Sequence, residues 1–406
     1  MTGHSRFSRR DFVRATAGIL GSFALGSGCN DHLASPPDPP TLPDPASSGI
    51  EHIIVVMMEN RSFDHFLGWL PGADGRQAGL RYLDPNGIAH ETFPIAPDFQ
   101  GCAYRDPDHS AAGGRVEYNG GACDGWMNVN DVFSLSYYRQ QDLAFLGQAA
   151  VDWMTFDRYF CAIMAPTDPN RIYQHAAQTD RMANSTALST LPTIWDRLAA
   201  KGIDGRYYFR NFSVLGRWGS KYQPITRSLD AFYSDCASGA LPAVAFVDPP
   251  RTGLGAQDDH PFVDVRAGET FLNQVYAAVT AGPGWPHTVL FLNFDEWGGF
   301  FDHVPPPVAP IPDADRAAGL SDGLLGFRTP ALLISPFARR RYVSHTVYDH
   351  TSLLALIEWR WGLQALTVRD ATANNPAIDL DFASPNPQAP VYDVPAVATL
   401  DCPVQA

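Results

Sequence analysis

His52-Ile53-Ile54-Val55-Val56-Met57-Met58 is an unbroken apolar run, β-branched at its centre. A run this short, without polar alternation, predicts a strand buried on both faces. It leads straight into Glu59-Asn60-Arg61-Ser62-Phe63-Asp64-His65. Similar runs occupy residues 243–247, 288–294 and 331–334, and helical patterns lie at 193–200, 269–280 and 352–361. In the last of these, Leu353, Ile357 and Trp361 recur on one face behind a Thr351/Ser352 cap. Buried strands alternating with helices predict an α/β fold, with a mostly parallel central sheet flanked by helices.

Open α/β sheets place their sites at the carboxyl ends of the strands. The first strand ends on Glu59 and Asn60, and the strand over 288–294 ends on Asp295-Glu296-Trp297-Gly298-Gly299-Phe300-Phe301-Asp302-His303. Two strands therefore deliver carboxylates to one edge of the sheet. Clustered carboxylates repel each other unless a cation holds them, and hard oxygen ligands suit Ca²⁺, Mg²⁺ or Mn²⁺. Added histidines would extend the choice to Zn²⁺ or Fe. The competing reading makes Glu59 and Asp295 helix-start residues favoured by the macrodipole. Gly298-Gly299, which permits close backbone approach, tips the balance toward a divalent-metal site.

Ala165-Pro166-Thr167-Asp168-Pro169-Asn170-Arg171 holds one hydroxyl between two prolines, with a helical pattern over 172–179 behind it. Thr167 is either a simple helix cap or, facing a bound metal, a nucleophile. His260 in Asp258-Asp259-His260-Pro261, His109 in a long polar stretch, His303 and His350 are further polar candidates.

The chain carries 43 acidic against 29 basic residues among 406, a net charge of −14, so it lacks the electrostatic footprint of a nucleic-acid binder. With 45% hydrophobic residues it is no disordered chain, and no apolar run is long enough to span a membrane. Ser8-Arg9-Arg10-Asp11-Phe12 before a mild apolar stretch reads as a twin-arginine export signal over 1–29, which predicts a periplasmic or secreted protein. Cys29 is a candidate lipid anchor, and the prolines over 30–49 read as a semi-rigid linker. The main domain is expected over 50–370, with a functional insertion or lid at 71–150 and a Pro-rich surface wrap at 371–406. Of the five remaining cysteines, Cys102 and Cys123 could close one loop, and the odd count leaves one thiol free.

The stretches 52–68 (HIIVVMMENRSFDHFLG), 165–173 (APTDPNRIY), 258–261 (DDHP), 293–307 (NFDEWGGFFDHVPPP) and 348–361 (YDHTSLLALIEWRW) together resemble the bacterial phosphoesterase family of phospholipases C and the related acid phosphatase. The resemblance implies an alkaline-phosphatase-like core and metal-dependent hydrolysis of a phosphoester. It assigns Glu59, Asn60, Thr167, Asp295 and Glu296 to the metal and makes Thr167 the nucleophile of a phospho-threonine route. It gives His260 and His109 to the phosphoryl or leaving group, and His303 to a second metal or a supporting role. A threonine at the nucleophile position resembles the phospholipase branch, which favours a phosphocholine-type phosphodiester over a broad phosphomonoesterase. The longer phospholipases carry C-terminal domains for which this chain leaves no room, an expectation that weakens lipid-surface binding. Trp126, Tyr137, Tyr138, Trp153 and Tyr159 either form an aromatic cage for a quaternary ammonium or pack in the core. A non-catalytic binding lipoprotein would lack the nucleophile or a ligand, and neither is missing.

Overall fold

The computed structural model describes residues 42–251, 255–397 and 402. The export signal, Cys29 and the linker up to residue 41 lie outside the described residues.

The opening apolar run is β1 (His52–Met58), buried from Ile53 onward. It pairs in parallel along its whole length with the fully buried Thr288–Phe294, from His52 opposite Thr288 to Met58 opposite Phe294. Numbered in chain order, the strands of this sheet are β1, β2 (Met154–Phe156), β3 (Gly205–Phe209), β4 (Thr226–Ser228), β5 (Val244–Val247), β6 (Thr288–Phe294), β7 (Leu332–Ile334) and β8 (Tyr342–Ser344). Their spatial order is β8-β2-β7-β6-β1-β5-β3-β4, and only β7 runs against the rest. The two longest strands thus sit side by side in the middle. Their apolar side chains need cover on both faces, which flanking helices supply.

The principal helices are α1 (Phe63–Leu67), α2 (Ala111–Tyr118), α3 (Thr167–Ala176), α4 (Ile194–Ala200), α5 (Leu229–Ser238), α6 (Val265–Ala281) and α7 (His350–Trp361). α7 packs on α3, and α6 packs on α5 and β6. Among the described residues no helix is long and apolar enough to cross a membrane.

Residues 71–150 are a structured layer rather than an irregular loop. Tyr82, Cys123, Trp126, Met127, Leu135 and Tyr137 build a second small core against Trp297, Phe301 and Phe327. This layer is therefore bonded to the segment that follows β6. Tyr138, Trp153 and Tyr159 belong to the main core. All five aromatics considered for a cation cage are buried, with Tyr137 the most exposed at 6%, so core packing is their role.

Residues 42–49 are docked onto the domain. A short turn spans Pro45–Ser47, Ser48 is buried, and the Gly49 carbonyl accepts from His287 Nδ1. At the other end, the Pro-rich segment runs antiparallel along α6. Trp285 Nε1 donates to the Pro387 carbonyl, the Tyr276 hydroxyl to Pro390 and Thr270 Oγ1 to Pro395. It finishes in a Cys102–Cys402 disulfide that joins positions 300 residues apart. The Cys102–Cys123 pairing is thus corrected. The Cys123 side chain is buried in the second core, which leaves Cys123, Cys161 and Cys236 as three buried free thiols instead of one.

Candidate active site

Because β1 and β6 are parallel and in register, Glu59 and Asp295 leave neighbouring strands at the same level. The backbone then locks the two turns together. The Asn60 amide donates to Asp295 Oδ1 at 3.1 Å, and the Arg61 amide to the Glu296 carbonyl at 3.1 Å. The Asp295 and Gly298 amides close the same knot onto the Met58 carbonyl and Glu296 Oε2. Asn60 has a left-handed φ of 57°, and Gly298 one of 66° with its Cα against the Asn60 carbonyl. A Cβ at 298 would collide with that carbonyl, so glycine is required there.

The strand ends place Glu59, Asn60, Asp295 and Glu296 together, none more than 2% exposed. A residue with no role assigned from sequence, Arg171, lies among them. Its guanidinium meets Asp295 Oδ2 at 3.0 Å, Glu59 Oε1 at 3.2 Å and Asp248 Oδ1 at 3.4 Å. Arg171 stands on α3 one turn after Thr167, so the two side chains share a helix face. α3 starts at Thr167, five residues before the predicted helix. Asn170 reaches back to hold the preceding turn, accepting from the Ile163 amide and donating to the Ala165 carbonyl at 2.7 Å. Pro166 fixes the entry and Pro169 falls in the first turn, where a missing N–H costs nothing. The Thr167 hydroxyl makes no hydrogen bond among the described residues.

Two histidines face this pocket. His109 Nδ1 donates to the Pro107 carbonyl at 2.8 Å, which leaves Nε2 to accept from Asn60 Nδ2 at 3.2 Å. The same Nε2 is 3.9 Å from Glu296 Oε1. The His260 ring lies 6.3 Å from that of His109 and 3.9 Å from Asp106. The layer over 71–150 supplies both Asp106 and His109. Arg251, also unassigned from sequence, pairs with Glu59. Asp248 was open to the strand-end rule, since it follows β5 directly. Arg171 had a weaker signal, its spacing of four from Thr167.

His303 belongs to a different cluster. Its Nδ1 bonds to Asp64 Oδ2 at 2.5 Å and its Nε2 to Asp74 Oδ1 at 3.1 Å, beside the fully buried Arg328, which holds Asp64 and Asp302. Both ring nitrogens are engaged with carboxylates, so the structure does not bring His303 to the pocket around Glu59. His350 is buried and donates from Nε2 to the Asp295 carbonyl.

The charge balance fits a cation. Burial raises the Glu59 carboxyl, but Arg251 and Arg171 outweigh it and hold Glu59 below its ordinary range. Burial pushes Asp295 up, with Glu59 adding to the rise against Arg171, and burial with Asp295 pushes Glu296 well up. Two guanidiniums therefore do not neutralise the carboxylates at this edge. Asn60 Oδ1 and Glu296 Oε1 are buried without a hydrogen-bond partner among the described residues, and Glu59 Oε1 meets only the two guanidiniums. Buried acceptors left unbonded cost roughly 1–3 kcal/mol each, and here they are the hard oxygens a divalent ion takes. The residues present fit such an ion.

Residues 50–364 match the Phosphoesterase family. The chain belongs to that family. Among its relatives, Phospholipase C B of Mycobacterium tuberculosis is 31% identical, over 97% of this chain and 89% of the relative. The Non-hemolytic phospholipase C of Pseudomonas aeruginosa is 29% identical over 97% and 66% of the two chains. Non-specific phospholipase C6 of Arabidopsis thaliana is 30% identical over 80% and 71%. Similar solved structures include the lipoteichoic acid synthase LtaP from Listeria monocytogenes, with TM-score 0.42 and 7% identity over 83% and 77% of the chains. A protein of the alkaline phosphatase superfamily from Vibrio parahaemolyticus has TM-score 0.38 and 10% identity over 80% and 70%. This phosphoesterase is thus a phosphoric ester hydrolase with a mostly parallel α/β core.

Proposed function

We propose that this phosphoesterase is an exported, metal-dependent, phospholipase C-like hydrolase that cleaves phosphodiesters through Thr167. The observation that carries the reading is the pair of unpartnered buried oxygens on Asn60 and Glu296, beside the Glu59 and Asp295 carboxylates and the helix that starts at Thr167. Relatives named phospholipase C supply the substrate class.

The Thr167 oxygen attacks phosphorus, the alcohol leaves, and water cleaves the phospho-threonine. Glu59, Asn60, Thr167, Asp295 and Glu296 would hold a divalent cation, which when bound neutralises phosphoryl charge and acidifies the attacking hydroxyl. Arg171 fixes Glu59 and Asp295 in place and, after Arg251, holds the Glu59 carboxyl below its ordinary range. The amino end of α3 favours the anionic phosphoryl group. His109, with its Nδ1 proton committed to Pro107, and His260 flank the open side, where they contact phosphoryl oxygens or protonate the leaving group. The core positions of the five candidate cage aromatics remove the support for a phosphocholine head group, so the proposal stops at the phosphodiester.

The test uses the protein from Asn30 onward and follows release of p-nitrophenol from bis(p-nitrophenyl) phosphate, with and without a chelator. Turnover should vanish with the chelator and return with added metal. Thr167→Ala should fold normally and lose on the order of 10⁴-fold or more in kcat. A folded Thr167→Ala protein with wild-type turnover ends the nucleophile assignment.

A further inference from the structure

Arg251 is buried, with 8% of its surface exposed, at the edge of the pocket just described. Its guanidinium pairs with Glu59, yet Glu59 already has Arg171 at 3.2 Å. One carboxylate thus faces two arginines, and Arg171 is also engaged by Asp295 and Asp248, while Arg251 has no second ion-pair partner among the described residues. Arg251 Nε and Nη1 are buried with no hydrogen-bond partner among the described residues. Guanidinium donors left bare in a buried position are costly, and in a substrate pocket a phosphoryl oxygen is the natural acceptor.

The residue is also held in place in advance. Asn211 clasps its backbone from both sides, with Oδ1 accepting from the Arg251 amide at 3.0 Å and Nδ2 donating to the Arg251 carbonyl. The guanidinium lies over the Phe212 ring, 4.8 Å from its centroid. Arg217 lies over the same ring at 5.5 Å and pairs at 2.9 Å with Asp168, the neighbour of Thr167. A row of Arg217, Phe212 and Arg251 therefore runs from beside the nucleophile to Glu59. The Phe212 ring is thus occupied by two guanidiniums and is not free for a quaternary ammonium.

We infer that Arg251 reads the charge of the substrate: it takes a non-bridging phosphoryl oxygen, so the site favours esters with a second negative charge at phosphorus and disfavours cationic head groups. The inference rests on the reading of Thr167 as the nucleophile and goes beyond the phosphodiester, because it ranks a monoester first. A phosphomonoester dianion gains the full benefit, a simple alkyl diester part of it, and a choline diester the least.

The experiment compares p-nitrophenyl phosphate, methyl p-nitrophenyl phosphate and p-nitrophenyl phosphorylcholine with wild type, Arg251→Met and Arg251→Lys. It also measures binding of inorganic phosphate to the metal-loaded and metal-stripped proteins by calorimetry. Wild type should show kcat/KM falling in the order given. Arg251→Met should lose about 10–100-fold on the monoester, in line with one charged hydrogen-bond contact, and a smaller factor on the methyl diester. Its phosphate affinity should fall at least tenfold with or without metal, and Arg251→Lys should recover part of both losses. A wild-type preference for the choline ester overturns the inference. So does an equal loss on all three esters with lowered metal content, since Arg251 would then act only through Glu59. If wild type turns over none of the esters yet Arg251→Met still weakens phosphate binding, the hydrolase reading falls and the anion contact stands.

Discussion

Each of the two chemical motifs, Glu59 to His65 and Asp295 to His303, feeds two clusters made of the same residue types. Their leading residues Glu59, Asn60, Asp295 and Glu296 meet Arg171 and Arg251. Their trailing residues Asp64, Asp302 and His303 meet Arg328. In the trailing cluster every polar atom of Asp64, Asp302, His303 and Arg328 is satisfied or accessible: Arg328 bonds both carboxylates and the Asp74 and Asp157 carbonyls, and backbone amides fill the remaining acceptors. In the leading cluster, Asn60 Oδ1, Glu296 Oε1 and two Arg251 nitrogens have no hydrogen-bond partner among the described residues. Composition does not separate a scaffold from a site. What separates the two here is that the bare oxygens of the leading cluster converge from two adjacent strand ends, whereas the trailing cluster has none.

The loss of turnover in Thr167→Ala is the largest effect this contrast implies. Next comes Arg328→Met, which strands two buried carboxylates and should cost about 3–5 kcal/mol in urea denaturation. Whatever fraction of that variant folds should bind metal with unchanged affinity, and a loss of metal in the folded fraction would merge the two clusters into one unit. Glu59→Gln should lower metal affinity at least about tenfold in competition with a chromophoric chelator. Unchanged affinity would place the ion elsewhere. The smallest effect concerns His303. Burial lowers its basicity, but Asp64 and Asp302 outweigh burial and hold it above its ordinary value. The proton is therefore bound more tightly in the folded state. The resulting stability is complete below about pH 6.5 and is lost as pH rises through the higher folded value. His303→Gln should flatten that alkaline loss in melting temperature while leaving the pH profile of turnover unmoved, and a shifted turnover profile would return His303 to the active site.

Strands were legible because a doubly buried strand has one composition: β1 and β6 take the predicted bounds, and β5 and β7 each start one residue later. Helix starts were less legible. Asn170 and the two prolines around Thr167 read as a loop, yet the same residues fold the turn back and start α3 early. The strand-end rule located Glu59, Asn60, Asp295 and Glu296. It could not locate Arg171, whose role comes from carboxylates 77, 112 and 124 positions away. Nor could it tell His303 from His109. Each follows an aspartate within a few residues, and only the tertiary partners show that His303 is consumed by Asp64 and Asp74. The antiparallel placement of β7 and the disulfide partner of Cys102 depend on contacts that local pattern does not carry.

The bond between Cys102 and Cys402 makes most of the chain a covalent ring, closed beside the loop that bears Asp106 and His109. A ring must be opened twice before anything is released. A single proteolytic cut anywhere between those cysteines, including one beside Arg251, leaves both pieces joined. Such a nicked molecule would travel as one band on a non-reducing gel and divide in two only after the disulfide is reduced. Its damage would be invisible to any measurement of mass made under oxidising conditions, apart from the one water molecule added at the cut.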